Sequence, residues 1–136
     1  MSKEQMLEHG ERFLSAWNTH DVEAVVSFYS EDVIYRDPNT KGDVRGADAM
    51  RRYLTKLFAG WTMHWSLREV YPLKEVDGAA VLWHATFKRA AETQTVEADG
   101  MDLVLYEGEK VKRNDVYFDR AVFAALFGMP APAGKG

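Results

Sequence analysis

The hydrophobic period of this chain changes for good after Gly60, and that change restricts the fold more than any other feature. Up to Gly60 the apolar residues recur mostly at helical spacing, with one short alternating stretch, and from Thr62 to Phe118 they alternate with a period of two. Ser2 and Gln5 have capping-box spacing, and Met6, Gly10, Phe13, Leu14 and Trp17 then share one helical face. Asn18-Thr19-His20-Asp21 interrupts that face. Asp21 caps a second short helix with Val22, Val25, Val26 and Tyr29 inward. Asp32 to Asp37 alternates as a strand and stops at Pro38. Asn39 to Gly46 reads as a loop. Met50, Tyr53, Leu54, Leu57 and Phe58 then make an amphipathic helix that ends at Gly60.

The second half reads as four long strands. Thr62–Glu75 and Ala79–Ala90 join at Asp77-Gly78, a strong hairpin signal, and Thr95–Tyr106 and Lys110–Phe118 join around Glu107-Gly108-Glu109. Asp119 caps a last helix carrying Val122, Phe123, Leu126 and Phe127, with Gly128 behind it. Helices grouped on one face of an antiparallel sheet make an α+β domain. Strands this long wrap helices only if they twist strongly or bulge, and the apolar phase slips between Leu67 and Val70, which predicts a bulge there. The expected architecture is a cone-shaped barrel, a strongly bent antiparallel sheet around N-terminal helices with a cavity on its concave side. Residues 1–128 form the single domain and 129–136, rich in Pro, Gly and Ala, a flexible tail. The sheet carries more apolar side chains than one face needs, so a homodimer through its outer face is expected.

Composition narrows the function classes. At 136 residues, 46% hydrophobic and 28% charged, the chain can bury a core. The net charge of -4 and the lack of a basic run argue against a nucleic-acid or anionic-membrane partner. With no cysteine, thiolate metal sites and cysteine nucleophiles are excluded. The polar first residues lack a signal-peptide core, and no apolar stretch approaches the roughly 20 residues of a membrane span, so a cytoplasmic protein is expected.

Four motifs carry a family resemblance: Trp17-Asn18-x-His20-Asp21, Tyr35-x-Asp37-Pro38, Gly100-Met101-Asp102, and Val116-Tyr117-Phe118-Asp119. In this order and spacing, over Glu11 to about Gly128, they resemble the nuclear-transport-factor-2-like superfamily. Within it they resemble the polyketide-cyclase (SnoaL-like) and ketosteroid-isomerase-like branch. That resemblance implies acid–base chemistry on a small molecule, without a cofactor. It places Asp37 at the proton-shuttling Asp and Asp102 at the protonated Asp of an oxyanion hole, whose Tyr is replaced by Phe13. In the cyclase and epoxide-hydrolase branches an Asp on the last strand acts, and the matching place here is Val116 or, with a one-residue insertion, Asp115.

The residues themselves supply a second argument. A two-residue turn at Gly108-Glu109 pairs Glu107 with Lys110, and counting back pairs Asp102 with Asp115, Val104 with Arg113 and Gly100 with Tyr117. Facing carboxylates repel, so one keeps its proton and the two form an acid–base pair. The alternative is an exposed pair or one neutralised by Arg113, and Asp37 has its own alternative, an Asx turn into Pro38-Asn39. Of the four histidines, His9 and His20 are expected exposed. A hairpin at Asp77-Gly78 sets Tyr71 opposite His84 and Ala91 opposite His64, which separates His64 from His84 by roughly seven residues, or about 20 Å, too far to share a metal. Either could instead be a lone pocket base. Phe13, Trp17, Tyr35, Tyr53, Trp65, Trp83, Phe87 and Tyr117 are the candidate pocket lining. The resulting expectation is an isomerase, cyclase or dehydratase acting on a small hydrophobic molecule through Asp37, Asp102 and Asp115. The alternative is a non-catalytic binder of such a molecule.

Overall fold

In a computed structural model the described residues are 1–124, and they form three helices, a six-stranded sheet and a short 3-10 turn. Helix α1 (Lys3–Thr19) starts at the Ser2–Gln5 capping box and ends at His20, which takes a left-handed φ of 59°. Asp21 caps α2 (Val22–Val26) by accepting from the Ala24 N–H. Strand β1 (Tyr29–Arg36) follows, then the two-residue β2 (Val44–Arg45) inside the stretch expected to be loop. Helix α3 (Ala47–Gly60) buries Ala47, Met50 and Leu54. Then come β3 (Trp61–Pro72), β4 (Gly78–Arg89), β5 (Thr95–Glu107) and β6 (Lys110–Tyr117). Asp119 accepts from Ala121 N and caps a 3-10 turn, Arg120–Phe123. The expected continuation of that helix through Leu126 and Phe127, and the tail, lie outside the described residues.

The strand order is β2-β1-β6-β5-β4-β3. The four long strands pair antiparallel in sequence order, and β1 adds in parallel against β6. The outer members β2 and β3 do not pair with each other, so the sheet curves over the helices without closing. Two bulges bend the antiparallel part of the sheet, and the β1–β6 register also shifts between Tyr29 and Ile34. One lies at Arg68, where pairing passes from Leu67↔Trp83 to Glu69↔Leu82, at the phase slip seen in the sequence. The other lies at Lys112, between Leu105↔Arg113 and Tyr106↔Val111.

Helix α1 packs into the concave face with Phe13 and Trp17 fully inside. Its C-terminal residues also finish the sheet edge. Asn18 Nδ2 donates to Trp65 O at 2.9 Å, and Asn18 Oδ1 accepts from Trp65 N at 2.7 Å. His20 Nε2 accepts from Met63 N at 3.1 Å. The Trp17-Asn18-x-His20-Asp21 motif thus occupies the free backbone groups of an edge strand. Neither His9 nor His20 is exposed as expected. His20 is held by that bond, and His9 is buried among Phe13, Phe28 and Tyr106, its pKa lowered chiefly by burial.

Candidate functional site

The end of β1 delivers the first acid. Asp37 follows the last residue of the strand, and Pro38 turns the chain away from the sheet. Its Oδ1 accepts from Asn39 N at 2.7 Å and Thr40 N at 3.1 Å, which is an Asx turn. Its Oδ2 accepts from Tyr35 OH at 2.7 Å and from the hydroxyl of Tyr53 on α3. Both oxygens of this carboxyl, 9% exposed, are therefore acceptors, two donors to each. Burial and then the Asp37 charge push both phenols' pKa values up, so they remain O–H donors at any ordinary pH.

The second acid comes from the inner face of β5. Gly100, Asp102 and Val104 alternate toward the helices, and Gly100 pairs with Trp83 of β4. A Cβ at position 100 would sit 2.3 Å from Trp83 Cη2, so only glycine lets the indole lie across β5. In that position Trp83 Nε1 donates to Asp102 Oδ1 at 2.8 Å. Asp102 is 5% exposed, and burial pushes its pKa up to about 6. The Trp83 N–H and the Asn114 amide pull the other way, and the Asp37 charge adds to the rise. Nearby, Tyr29 OH donates to Asn114 Oδ1 at 2.8 Å.

Two small lobes lie beside these acids and share part of their wall. One, with about 40 Å3 of free volume, includes Asp37, Tyr53 and Trp83 in its wall. The other, about 30 Å3, includes Asp102 and Leu14. Trp17, Tyr35, Trp65 and Val116 line both. Each lobe has room for two or three waters. Of the aromatics picked from the sequence, Trp17, Tyr35, Tyr53, Trp65, Trp83 and Phe87 line this cavity. Phe13 lies deeper, edge-on to Trp17, Phe28 and Tyr29. Tyr117, 51% exposed, is outside the lining. Trp61, Met63, Phe118 and Phe123 line it unforeseen. Trp61 and Met63 could have been found by carrying the alternation of β3 back from Trp65.

The expected pairing of Asp102 with Asp115 is corrected by the register. Glu107 does pair with Lys110, with Gly108 at φ 61°, but the bulge at Lys112 shifts everything beyond it by one residue. Asp102 therefore faces Val116, Val104 faces Asn114, and Met101 rather than Gly100 faces Tyr117. A one-residue slip reverses the face, so Asp115 points to the outer side. There, 3% exposed, it accepts from Arg113 Nε at 3.2 Å and Arg113 Nη2 at 3.0 Å.

The histidine separation is corrected too. The chain turns over Leu73–Asp77, not in two residues, and with the Arg68 bulge this sets His64 opposite Thr86 and Ser66 opposite His84. The two histidines are diagonal neighbours on the outer face. His84 contacts Asp99 Oδ1 at 2.8 Å and Glu97 Oε1 at 3.0 Å, and these bonds raise its pKa. Among the described residues no three His, Asp or Glu side chains are grouped to hold a metal, and no helix is long and apolar enough to cross a membrane.

Known structures share this architecture. A Bacillus subtilis protein provisionally named an isomerase superposes with a TM-score of 0.84 at 12% identity, over 96% of this chain and 98% of that one. A Catenulispora acidiphila protein with a ketosteroid-isomerase-like fold, in complex with trimethylamine, gives 0.80 at 15% identity, over 91% and 95%. TerC, co-crystallized with polyporic acid, gives 0.75 at 19% identity, over 90% and 97%. At such identities the likeness shows the fold, which is nuclear-transport-factor-2-like. No curated protein matches the chain in sequence. The SnoaL-like domain model matches residues 10–114, from α1 to the inward-facing Asn114 of β6, and the chain belongs to that family.

Proposed function

We propose that the chain is an enzyme of isomerase, cyclase or dehydratase type that moves a proton on a small apolar molecule, with Asp102 as the exchanging group. The observation that carries this reading is a carboxyl 5% exposed in an aromatic cavity, with a pKa pushed up to about 6. Such a group is present in both protonation states near neutral pH and can give or take a proton without a cofactor. Asp37 has a different part. Its four acceptor bonds leave it little capacity to take a substrate proton, so the Tyr35–Asp37–Tyr53 cluster orients the substrate instead. Asp115, on the outer side, is left out of the chemistry. The same reading includes a homodimer through the outer sheet face. Leu82, Met101, Leu103 and Leu105 are only half-buried there, and a mass by light scattering equal to one chain at high concentration would remove this element.

One observation favours the second reading, a non-catalytic binder. Val116, not an acid, lines both lobes, and it is one of the two positions where the resemblance to the cyclase and epoxide-hydrolase branches implies an acting Asp. The deciding experiment identifies ligands that co-purify with the protein by mass spectrometry and then follows each with native protein and with Asp102→Asn. Conversion by the native protein, lost in a variant that still binds, supports the enzyme. Binding with no conversion by either protein supports the binder.

A further inference from the structure

The cavity wall has a one-sided charge. Asp37 lines one lobe and Asp102 the other, and the Asp37 charge adds to the rise in the Asp102 pKa. Among the described residues lining the two lobes, none is Lys, Arg or His. Most of the rest is aromatic, including Trp17, Trp61, Trp65 and Trp83. We propose that the cavity binds a small organic cation, an alkylated ammonium group whose substituents contact the rings. This deepens the reading of the cavity as a small-molecule site and rests on it.

Three features converge on that ligand class. A buried carboxylate is costly unless compensated, and the described residues of the wall supply no compensating cation. An anionic ligand would add a like charge, whereas a cationic head on an otherwise apolar molecule offsets the cost. Ring faces are negative at their centres, so an indole-rich wall attracts a cation beyond its apolar contact. The alkylation follows from the hydrogen bonding. Asp37 already accepts four bonds and Asp102 Oδ1 accepts from Trp83, so a primary ammonium would find few acceptors for its three N–H donors. An alkylated nitrogen presents methyl groups where the wall offers rings. The free volume of about 40 and 30 Å3 limits the group to a compact head.

The test uses a matched pair of probes, choline and dimethylbutanol, its uncharged carbon isostere. Binding is read by calorimetry and by the tryptophan emission of the cavity wall. Choline is expected to bind roughly tenfold more tightly than the isostere. The Asp102→Asn variant, which keeps the shape of the wall, is expected to reduce that preference to about twofold. Isostere binding equal to or tighter than choline, or no binding of choline at all, overturns the proposal. The outcome is separable from the acid–base reading. Asp102 titrating near 6 with no charge preference defeats the cation inference alone, whereas an Asp102 that titrates at its ordinary value defeats the proton-transfer reading, whichever probe binds.

Discussion

Trp83 Nε1 donates to Asp102 Oδ1 at 2.8 Å from the neighbouring strand, and it reaches that oxygen only because position 100 has no side chain. The Gly100-Met101-Asp102 motif is therefore a packing unit as well as a chemical one. The glycine admits the indole, the indole anchors the acid, and β-sheet alternation turns both the acid and the gap to the same face.

The buried acid makes stability depend on pH. Asp102 has an ordinary value of 3.8 and a folded value of about 6. Between those values the folded chain holds a proton that the unfolded chain has released. Its contribution to stability therefore falls as pH rises from about 4 to about 6 and is level above that, a loss of roughly 2 to 3 kcal/mol. Asp102→Asn keeps an acceptor for Trp83 and removes the charge. Relative to the native chain, its urea stability should rise by about 2 kcal/mol between about pH 4.5 and 7.5. A difference that does not change with pH would show that Asp102 is not desolvated.

Gly100→Ala should drive its methyl into the Trp83 indole, which is 1% exposed and lies 2.3 Å from where that methyl would sit. Overpacking of this kind costs roughly 1 to 3 kcal/mol. Adding Trp83→Phe should recover part of the loss, because the smaller ring vacates the space the methyl needs. Chemical denaturation of both single variants and the double variant measures the coupling, and additive losses would contradict the contact.

The switch from helical to strand period, the Ser2–Gln5 cap and the Leu67–Val70 phase slip made the α+β fold legible, because local periodicity and cap chemistry are written in neighbouring residues. The register of the last hairpin was not. Its bulge carries the same mark as the first, two charged residues in succession between inward positions: Arg68-Glu69 before Val70, Lys112-Arg113 before Asn114. The second leaves no apolar phase slip, because its inward residue is polar. That is why the alternation of the sequence turns Asp115 to the wrong face. The parallel β1–β6 pairing, a contact between the two halves of the chain, had no local signal at all. Asp37 was legible as an Asx turn, but its two phenol donors depend on where α3 packs.

Asn18→Ala should release the edge of β3. It removes two bonds to the backbone of Trp65, with a cost of roughly 1 to 3 kcal/mol. Hydrogen exchange should localise the effect, with the Trp65 amide speeding up far more than amides of the central strand β5. Uniform acceleration across the sheet would mean that Asn18 supports the whole fold and not its edge.

Asp37 gives the last prediction, which separates its acceptor role from its charge. Asp37→Ala removes the acceptor of two phenols and two loop amides in one step. Tyr35 is 3% exposed, so its hydroxyl loses a buried partner. The expected loss is roughly 2 to 4 kcal/mol in denaturant unfolding. Asp37→Asn keeps one carbonyl oxygen, which can still take the Asn39 and Thr40 amides, while the phenols turn to meet its amide group. It should lose clearly less than the alanine variant and keep the Asn39–Thr40 turn, visible as unchanged amide shifts for those residues. Equal losses for the two variants would mean that the negative charge, rather than the count of acceptor positions, holds Tyr35 and Tyr53 around this corner of the cavity.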